Sequence, residues 1–194
     1  RAVDLVFRRL VGVVWLVVAS LSLTACSEMP EVGTPADFTP QKVESQNIAK
    51  AYYKVGDVYL AGQPNEAGFA DLKKDGVRTV INLRPDWDLP EQQLVEAQGM
   101  EYVHIPVSSQ KEHALQDATI ERFIEAIDTA QKPVVIHCGS ANRVSALWAA
   151  YLAKEKGVPP EQAISLAEMS GLRTGYARDF VVDYMDRECG APPA

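Results

Sequence analysis

The stretch that decides the fold of this chain is Val134-Val135-Ile136-His137-Cys138-Gly139-Ser140-Ala141-Asn142-Arg143. Its β-branched start predicts a strand that ends at the cysteine. Its small residues predict a tight loop, followed by a helix that opens at the arginine. The thiol and the guanidinium therefore lie at a helix N-terminus, where free N–H groups and the helix dipole attract an anion. Such surroundings favour the nucleophilic thiolate form of a cysteine.

The residues of this stretch are the first candidates for a functional site. Cys138 is the predicted nucleophile, although a cysteine at a strand end is often inert packing. Arg143 is the predicted anion-binding cation, and its alternative role is an ion pair with a carboxylate. The loop amides between them are predicted to bind the substrate, with the serine favoured to hydrogen-bond the thiolate: Gly139, Ser140, Ala141 and Asn142. His137 is expected to point to the opposite face of the sheet, because neighbouring side chains of a strand alternate.

Outside this stretch, strand patterns alternate with helix patterns along the chain. Short apolar runs predict strands at 57–61, 78–83 and 102–107, and a further strand that begins at 133. The segments between and after them have helical periodicity, which predicts an α/β fold with a three-layer, mostly parallel sheet flanked by helices. Gln63 and Arg84 follow two of the strands, at the edge where such sheets bind ligands, and are predicted substrate-binding residues. Arg173 and Arg178 are weaker candidates.

Composition bounds the class of protein. The 194 residues are 47% hydrophobic and 23% charged, which indicates one globular domain with an appendage. The formal net charge of −7 argues against a nucleic-acid partner. His104 and His113 are isolated and no metal-ligand spacing occurs, so neither a metal nor another cofactor is predicted. Three cysteines are too few for a disulfide framework. Cys189 has no expected role, with a resolving thiol for Cys138 as the alternative.

The N-terminal residues have the pattern of an export signal. Arg8 and Arg9 precede an apolar run over 10–19, and small residues follow up to Cys26. Residues 23–26 read Leu-Thr-Ala-Cys and resemble the bacterial lipobox, which implies cleavage before Cys26 and lipid attachment to it. The predicted division is a signal peptide over 1–25, a lipidated polar tether over 26–50 and a catalytic domain over 51–194, with an uncleaved membrane anchor as the alternative. Ser27 favours the outer membrane, with the domain facing the periplasm.

Four segments of the chain resemble a known family. They are Tyr59–Pro64, Thr79–Asp86, Tyr102–Val107 and His137–Trp148. Together they are similar to the phosphatase-like domain of the bacterial beta-lactamase-hydrolase-like proteins, which is related to the dual-specificity protein tyrosine phosphatases. The resemblance implies a protein tyrosine phosphatase-like fold and a covalent intermediate on Cys138. Members of the family are named for phosphatases, whereas fused forms are linked to sulfur transfer.

The spacing of the nucleophile and the arginine separates these two chemistries. Four residues lie between Cys138 and Arg143, whereas protein tyrosine phosphatases place one more there and rhodanese-type sulfurtransferases have the same number. Such phosphatases also use an Asp on an upstream loop as general acid, but residues 108–113 contain none, and Glu112 or His113 would have to substitute. The hydroxyl that follows the arginine in those enzymes is displaced, because it is found at Ser145, one position late.

The favoured reaction is therefore sulfane-sulfur transfer through Cys138, since a sulfur leaving group needs no acid. The substrate would be a small anionic sulfur compound, with a thiol as a possible acceptor. Phosphomonoester hydrolysis is the first alternative, and non-catalytic binding of an anion or a thiol is the second. In each case the membrane is a partner through the lipid anchor alone.

Overall fold

The computed structural model describes residues 34–85, 90–108 and 115–190. Three sets of predictions lie outside these residues. They are the signal peptide over 1–25, the lipidation site Cys26, and the substitute acids Glu112 and His113.

Within the described residues, six strands form one sheet in the order β1-β2-β3-β6-β4-β5. The strands are β1 Gln41–Lys42, β2 Tyr52–Val55, β3 Val58–Ala61, β4 Thr79–Asn82, β5 Glu101–His104 and β6 Val134–His137. β3, β6, β4 and β5 are parallel to one another, whereas β1 and β2 extend the sheet antiparallel from the side of β3. The structure confirms the predicted α/β fold, and it places the strand that carries the nucleophile inside the sheet.

Helices cover both faces of this sheet. The described α-helices are α1 Glu66–Lys74, α2 Glu91–Ala97, α3 Asp117–Thr129, α4 Asn142–Lys156, α5 Pro160–Ser170 and α6 Tyr176–Glu188. Val135 packs in an apolar cluster with α1 and α2, whereas its neighbour Ile136 packs in a larger cluster with α3 to α6. The alternation of strand side chains thus divides the core into two layers. In this part of the chain no helix combines the length and apolarity needed to cross a bilayer.

The third predicted strand ends earlier than its apolar pattern indicates. The prediction runs to Val107, whereas β5 ends at His104. Ile105 and Val107 still donate backbone hydrogen bonds to the neighbouring segment, with N···O distances of 2.9 and 3.0 Å. Pro106 lies between them and has no N–H to donate. The ladder therefore continues irregularly toward the site.

The N-terminal residues before β2 are more ordered than the tether prediction over 26–50 implies. A 3₁₀-helix covers Pro35–Phe38, and β1 pairs with β2 at the edge of the sheet. Ile48 is buried, and Phe38 and Val43 pack against the two apolar clusters. These three apolar side chains, scattered through a polar segment, give it enough buried surface to join the domain. Residues 34–50 are thus part of the folded unit.

Candidate functional site

The loop that carries Cys138 is held at both of its ends. Cys138 directly follows β6, is 1% exposed, and donates its backbone N–H to the carbonyl of Ala61 on β3. Ser140 forms an isolated β-bridge with Gly62. Ala141 adopts the left-handed conformation, with φ of 65°, immediately before α4 begins. A non-glycine residue rarely adopts this conformation, and here it turns the chain from strand to helix within four residues.

Arg143 lies in the first turn of α4, beside this loop. One of its terminal nitrogens, Nη1, donates to the carbonyl oxygen of Val107 at 2.6 Å. Among the described residues no carboxylate lies within 4 Å of its guanidinium, so the alternative of an ion pair is not found there. The carbonyl fixes one edge of the planar group without neutralising its charge, and the guanidinium remains available for an anion.

A cavity of about 240 Å³ opens above the loop. Its lining includes Ser140, Asn142 and Arg143, together with Thr174 from the loop before α6 and Tyr176 from the first turn of α6. Of the predicted loop residues, two therefore line the cavity with Arg143, and Gly139 and Ala141 form the backbone around them. The cavity has the size and charge for a small tetrahedral anion with part of an attached group.

The hydroxyls of Ser140 and Ser145, two residues of the segment around Arg143, have partners other than Cys138. The hydroxyl of Ser140 accepts a hydrogen bond from Nη2 of Arg173 at 2.8 Å, rather than contacting the thiolate as predicted. Ser145 and Ser170 are buried and hydrogen-bonded to each other, with their oxygens 3.0 Å apart. The displaced hydroxyl of the sequence thus contributes to the packing between α4 and α5.

Arg173, a weaker candidate from the sequence, contacts the loop that carries Cys138. Its backbone N–H donates to Oδ1 of Asn142 at 2.7 Å, and its guanidinium reaches Ser140. In the sequence, its position between Gly171 and Gly175 indicates that Arg173 lies in a loop. Nothing local indicated which surface that loop would contact. The weaker candidate Arg178 instead contacts Glu168.

His137 points to the opposite face of the sheet from its neighbour, as predicted. Its side chain is buried, and Nε2 lies 2.8 Å from Oε1 of Glu91 at the start of α2. Glu91 also accepts a hydrogen bond from Nε2 of Gln63 at 2.9 Å. Burial acts to raise the pKa of Glu91, but the hydrogen bond and charge of His137, with that of Gln63, outweigh it and lower the pKa below its usual value. This buried contact between Glu91 and His137 braces the strand that precedes Cys138.

Gln63 and Arg84 do not line the cavity that contains Arg143, and their role in substrate binding stays a prediction. Nη1 of Arg84 donates to Oε1 of Gln63 at 3.1 Å. Arg84 lines a separate cavity of about 580 Å³ on the α2 side, together with Asn82 and His104. The strand ends predicted the correct edge of the sheet. They could not predict the face, because one residue of displacement moves a side chain to the other side.

Cys189 is too far from Cys138 to act as its resolving thiol. Cys138 precedes α4, whereas Cys189 lines a cavity with Gly157 and Val158, which follow the other end of that helix. The 15 residues of α4 span about 22 Å at 1.5 Å per residue. A disulfide requires Cα atoms within about 7 Å. Burial raises the pKa of the Cys189 thiol, which makes it a poor nucleophile.

A nucleophile loop between an inner strand of a mostly parallel sheet and a helix N-terminus, with an arginine in the first turn, defines the protein tyrosine phosphatase-like class. The chain belongs to the family described as "Beta-lactamase hydrolase-like protein, phosphatase-like domain", whose model matches residues 53–154. The resemblance noted from the sequence is thus confirmed.

Individual relatives agree with this assignment. A beta-lactamase hydrolase-like protein of Xylella fastidiosa (strain 9a5c) is 28% identical over 141 residues, which are 69% of this chain and 31% of the relative. The chain thus spans about a third of the length of that relative. A crystal structure from Shewanella putrefaciens CN-32, described as a candidate phosphatase (DUF442), is 29% identical and matches with a TM-score of 0.61. The match covers 75% of this chain and 97% of that one. A crystal structure of TpbA of P. aeruginosa in complex with pTyr is 18% identical and matches with a TM-score of 0.59. The match covers 78% of this chain and 98% of that one. TpbA is similar in fold.

Proposed function

We propose that this chain is a cysteine-dependent phosphomonoester hydrolase with Cys138 as its nucleophile. The observation that carries the proposal is the position of Cys138 in the loop between β6 and α4, with Arg143 in the wall of the cavity above it. Phosphatase-like relatives support this reaction over the sulfur transfer favoured by the loop spacing.

In the proposed reaction the Cys138 thiolate attacks phosphorus, and a sulfur–phosphorus bond forms as the bond to the ester oxygen breaks. The alcohol leaves with a proton from a general acid, for which Glu112 and His113 remain the sequence candidates. Water then attacks the phosphocysteine, releasing phosphate and restoring the thiolate. Arg143 binds two phosphoryl oxygens in a bidentate manner, and the loop amides donate to the oxygens as charge develops.

Sulfane-sulfur transfer is the second candidate, and two observations favour it. Four residues separate Cys138 from Arg143, and the hydroxyl of Ser145 is bound to Ser170 rather than directed at the thiolate. In this reaction the thiolate attacks the outer sulfur of thiosulfate, the sulfur–sulfur bond breaks, and sulfite leaves with the electron pair. A thiol acceptor then takes the sulfur from the Cys138 persulfide.

Intact-mass measurement separates the two reactions. Residues 27–194 are incubated with p-nitrophenyl phosphate or with thiosulfate, and free phosphate and sulfite are measured in parallel. Phosphate release together with a trapped phosphoryl adduct supports hydrolysis, whereas a gain of one sulfur atom supports transfer. Both signals are expected to disappear in Cys138→Ser and to persist in the matched control Cys189→Ser. If neither donor reacts, both catalytic proposals are wrong and the binding role takes their place.

We also propose that Cys26 is lipidated and anchors the domain in the outer membrane, facing the periplasm. The support is the lipobox-like sequence Leu23-Thr24-Ala25-Cys26 and the following Ser27. Cys26→Ser is expected to move the protein from the membrane fraction to the soluble periplasmic fraction. Unchanged membrane fractionation would contradict the proposal.

A further inference from the structure

We infer that Arg173 is a specificity-determining residue that binds a second negative charge on the donor, beyond the group transferred to Cys138. The preferred substrates would then be phosphomonoesters whose alcohol carries a carboxylate or another anionic group. The identity of the transferred group rests on the proposed function, whereas the role of Arg173 in binding does not.

The loop between α5 and α6 holds Arg173 against the nucleophile loop. Gly171 and Gly175 border it, and both have φ of +123°, a conformation that side chains rarely adopt. A Cβ on Gly171 would lie 3.2 Å from the Cβ of Ala141, so the two loops are packed in direct contact. The hydrogen bond from the Arg173 N–H to Asn142 fixes the backbone at this point. The position of Arg173 is therefore built into the fold rather than left to a mobile surface chain.

The charge of Arg173 is not compensated within the described part of the chain. Its guanidinium contacts the neutral hydroxyl of Ser140, and no described carboxylate lies within 4 Å of it. Arg178 provides the contrast, since its Nε is 3.3 Å from a carboxylate oxygen of Glu168. A guanidinium has five N–H donors, so one bond to a hydroxyl leaves donors for an anion.

Arg143 and Arg173 differ in how far they are exposed to solvent. Cys138 is 1% exposed and Arg143 is partly buried, whereas Arg173 is exposed and contacts Ser140, which lines the cavity. A transferred group that reaches Cys138 is therefore bound by Arg143, and the remainder of the donor passes beside Arg173. Tyr176 lines the same cavity as Arg143 and offers an aromatic surface there, which suits an aryl ester.

The test uses equilibrium binding, so that it does not depend on turnover. Phenyl phosphate and 4-carboxyphenyl phosphate are titrated by calorimetry into Cys138→Ser, alone and combined with Arg173→Gln, Arg173→Lys or Arg178→Gln. We expect the carboxylate to improve the Kd of Cys138→Ser by about tenfold, as for a charge-assisted hydrogen bond. The ratio of the Kd for phenyl phosphate to the Kd for 4-carboxyphenyl phosphate is expected to fall to about one with Arg173→Gln. It is expected to be partly restored with Arg173→Lys and to persist with Arg178→Gln.

Three results would overturn the inference. They are a Kd ratio near one in Cys138→Ser, a ratio unchanged by Arg173→Gln, and an equal loss in the matched control Arg178→Gln. Failure of Cys138→Ser to bind either ester would overturn it as well. Preferential binding without hydrolysis by the unsubstituted protein would leave the inference standing and contradict the proposed function. Hydrolysis of both esters, with no preference between them in binding, would support the proposed function and contradict the inference.

Discussion

Substitution of Gly62 by alanine tests how rigidly the fold holds the nucleophile loop. Gly62 follows β3, donates its N–H to Ala51 at 2.7 Å and bridges to Ser140. A Cβ at this position would lie 1.7 Å from the carbonyl oxygen of Ala49. Because a carbon–oxygen contact needs about 3.3 Å, the two segments would have to separate by about 1.6 Å.

Two costs add up in this variant. Overpacking of a close contact costs about 1–3 kcal/mol, and loss of one backbone hydrogen bond adds about 1 kcal/mol. We therefore expect Gly62→Ala to lower the free energy of unfolding by about 2–4 kcal/mol. For a domain of this size that corresponds to a Tm about 10 °C lower. The alkylation rate of Cys138 is also expected to change, because Ser140 moves with Gly62.

The matched control is Gly56→Ala. Gly56 has φ of +58°, but nothing lies within 4 Å of the place that a Cβ would take, so the cost is conformational and about 1 kcal/mol. Urea unfolding and the rate of iodoacetamide alkylation are measured for both variants. If Gly62→Ala is no less stable than Gly56→Ala, the close approach of the two backbones is not a rigid constraint and the reasoning is wrong.

Three further predictions concern groups around the site. Glu91→Gln is expected to destabilise the protein by about 3 kcal/mol because it removes the buried carboxylate that contacts His137 and Gln63, whereas the exposed control Glu121→Gln changes the free energy of unfolding by less than about 1 kcal/mol. Burial acts to raise the pKa of Glu91, but the hydrogen bond with His137 outweighs burial and holds this pKa below 4.5 in the folded state. Its stabilisation is therefore full above pH 4.5 and lost as the pH falls through the folded pKa, a loss that urea titrations of Glu91→Gln should lack. Ser145→Ala is expected to cost about 1 kcal/mol while changing the alkylation rate of Cys138 less than about twofold; a larger fall would mean that this hydroxyl serves the thiolate. Cys189→Ser is expected to leave that rate unchanged, and diamide oxidation is expected to produce no disulfide between Cys138 and Cys189 by intact mass.

Local patterns account for what could be predicted of the fold. The β-branched run ending at His137 and the small residues after it specified strand, loop and helix, because each rests on neighbours within a few positions. The α/β class followed from the alternation of such segments. The ordered region 34–50 escaped prediction because its apolar residues have neither a helical nor a strand period. Their burial depends on the surface they meet.

The sequence by itself determined the candidate nucleophile, the arginine that accompanies it and the phosphatase-like family, since these are contained in one segment whose strand, turn and helix form from local propensities. The tertiary structure decided which distant residues complete the site. Arg173 contacts Ser140 across 33 positions of sequence, and Glu91 contacts His137 across 46. Such contacts depend on how the helices pack on the two faces of the sheet, and side-chain direction at a strand end changes with a single residue of register. The spacing between Cys138 and Arg143 suggests sulfur, whereas the fold around it is that of a phosphatase-like domain, so the donor is decided by groups that the fold brings to the cavity.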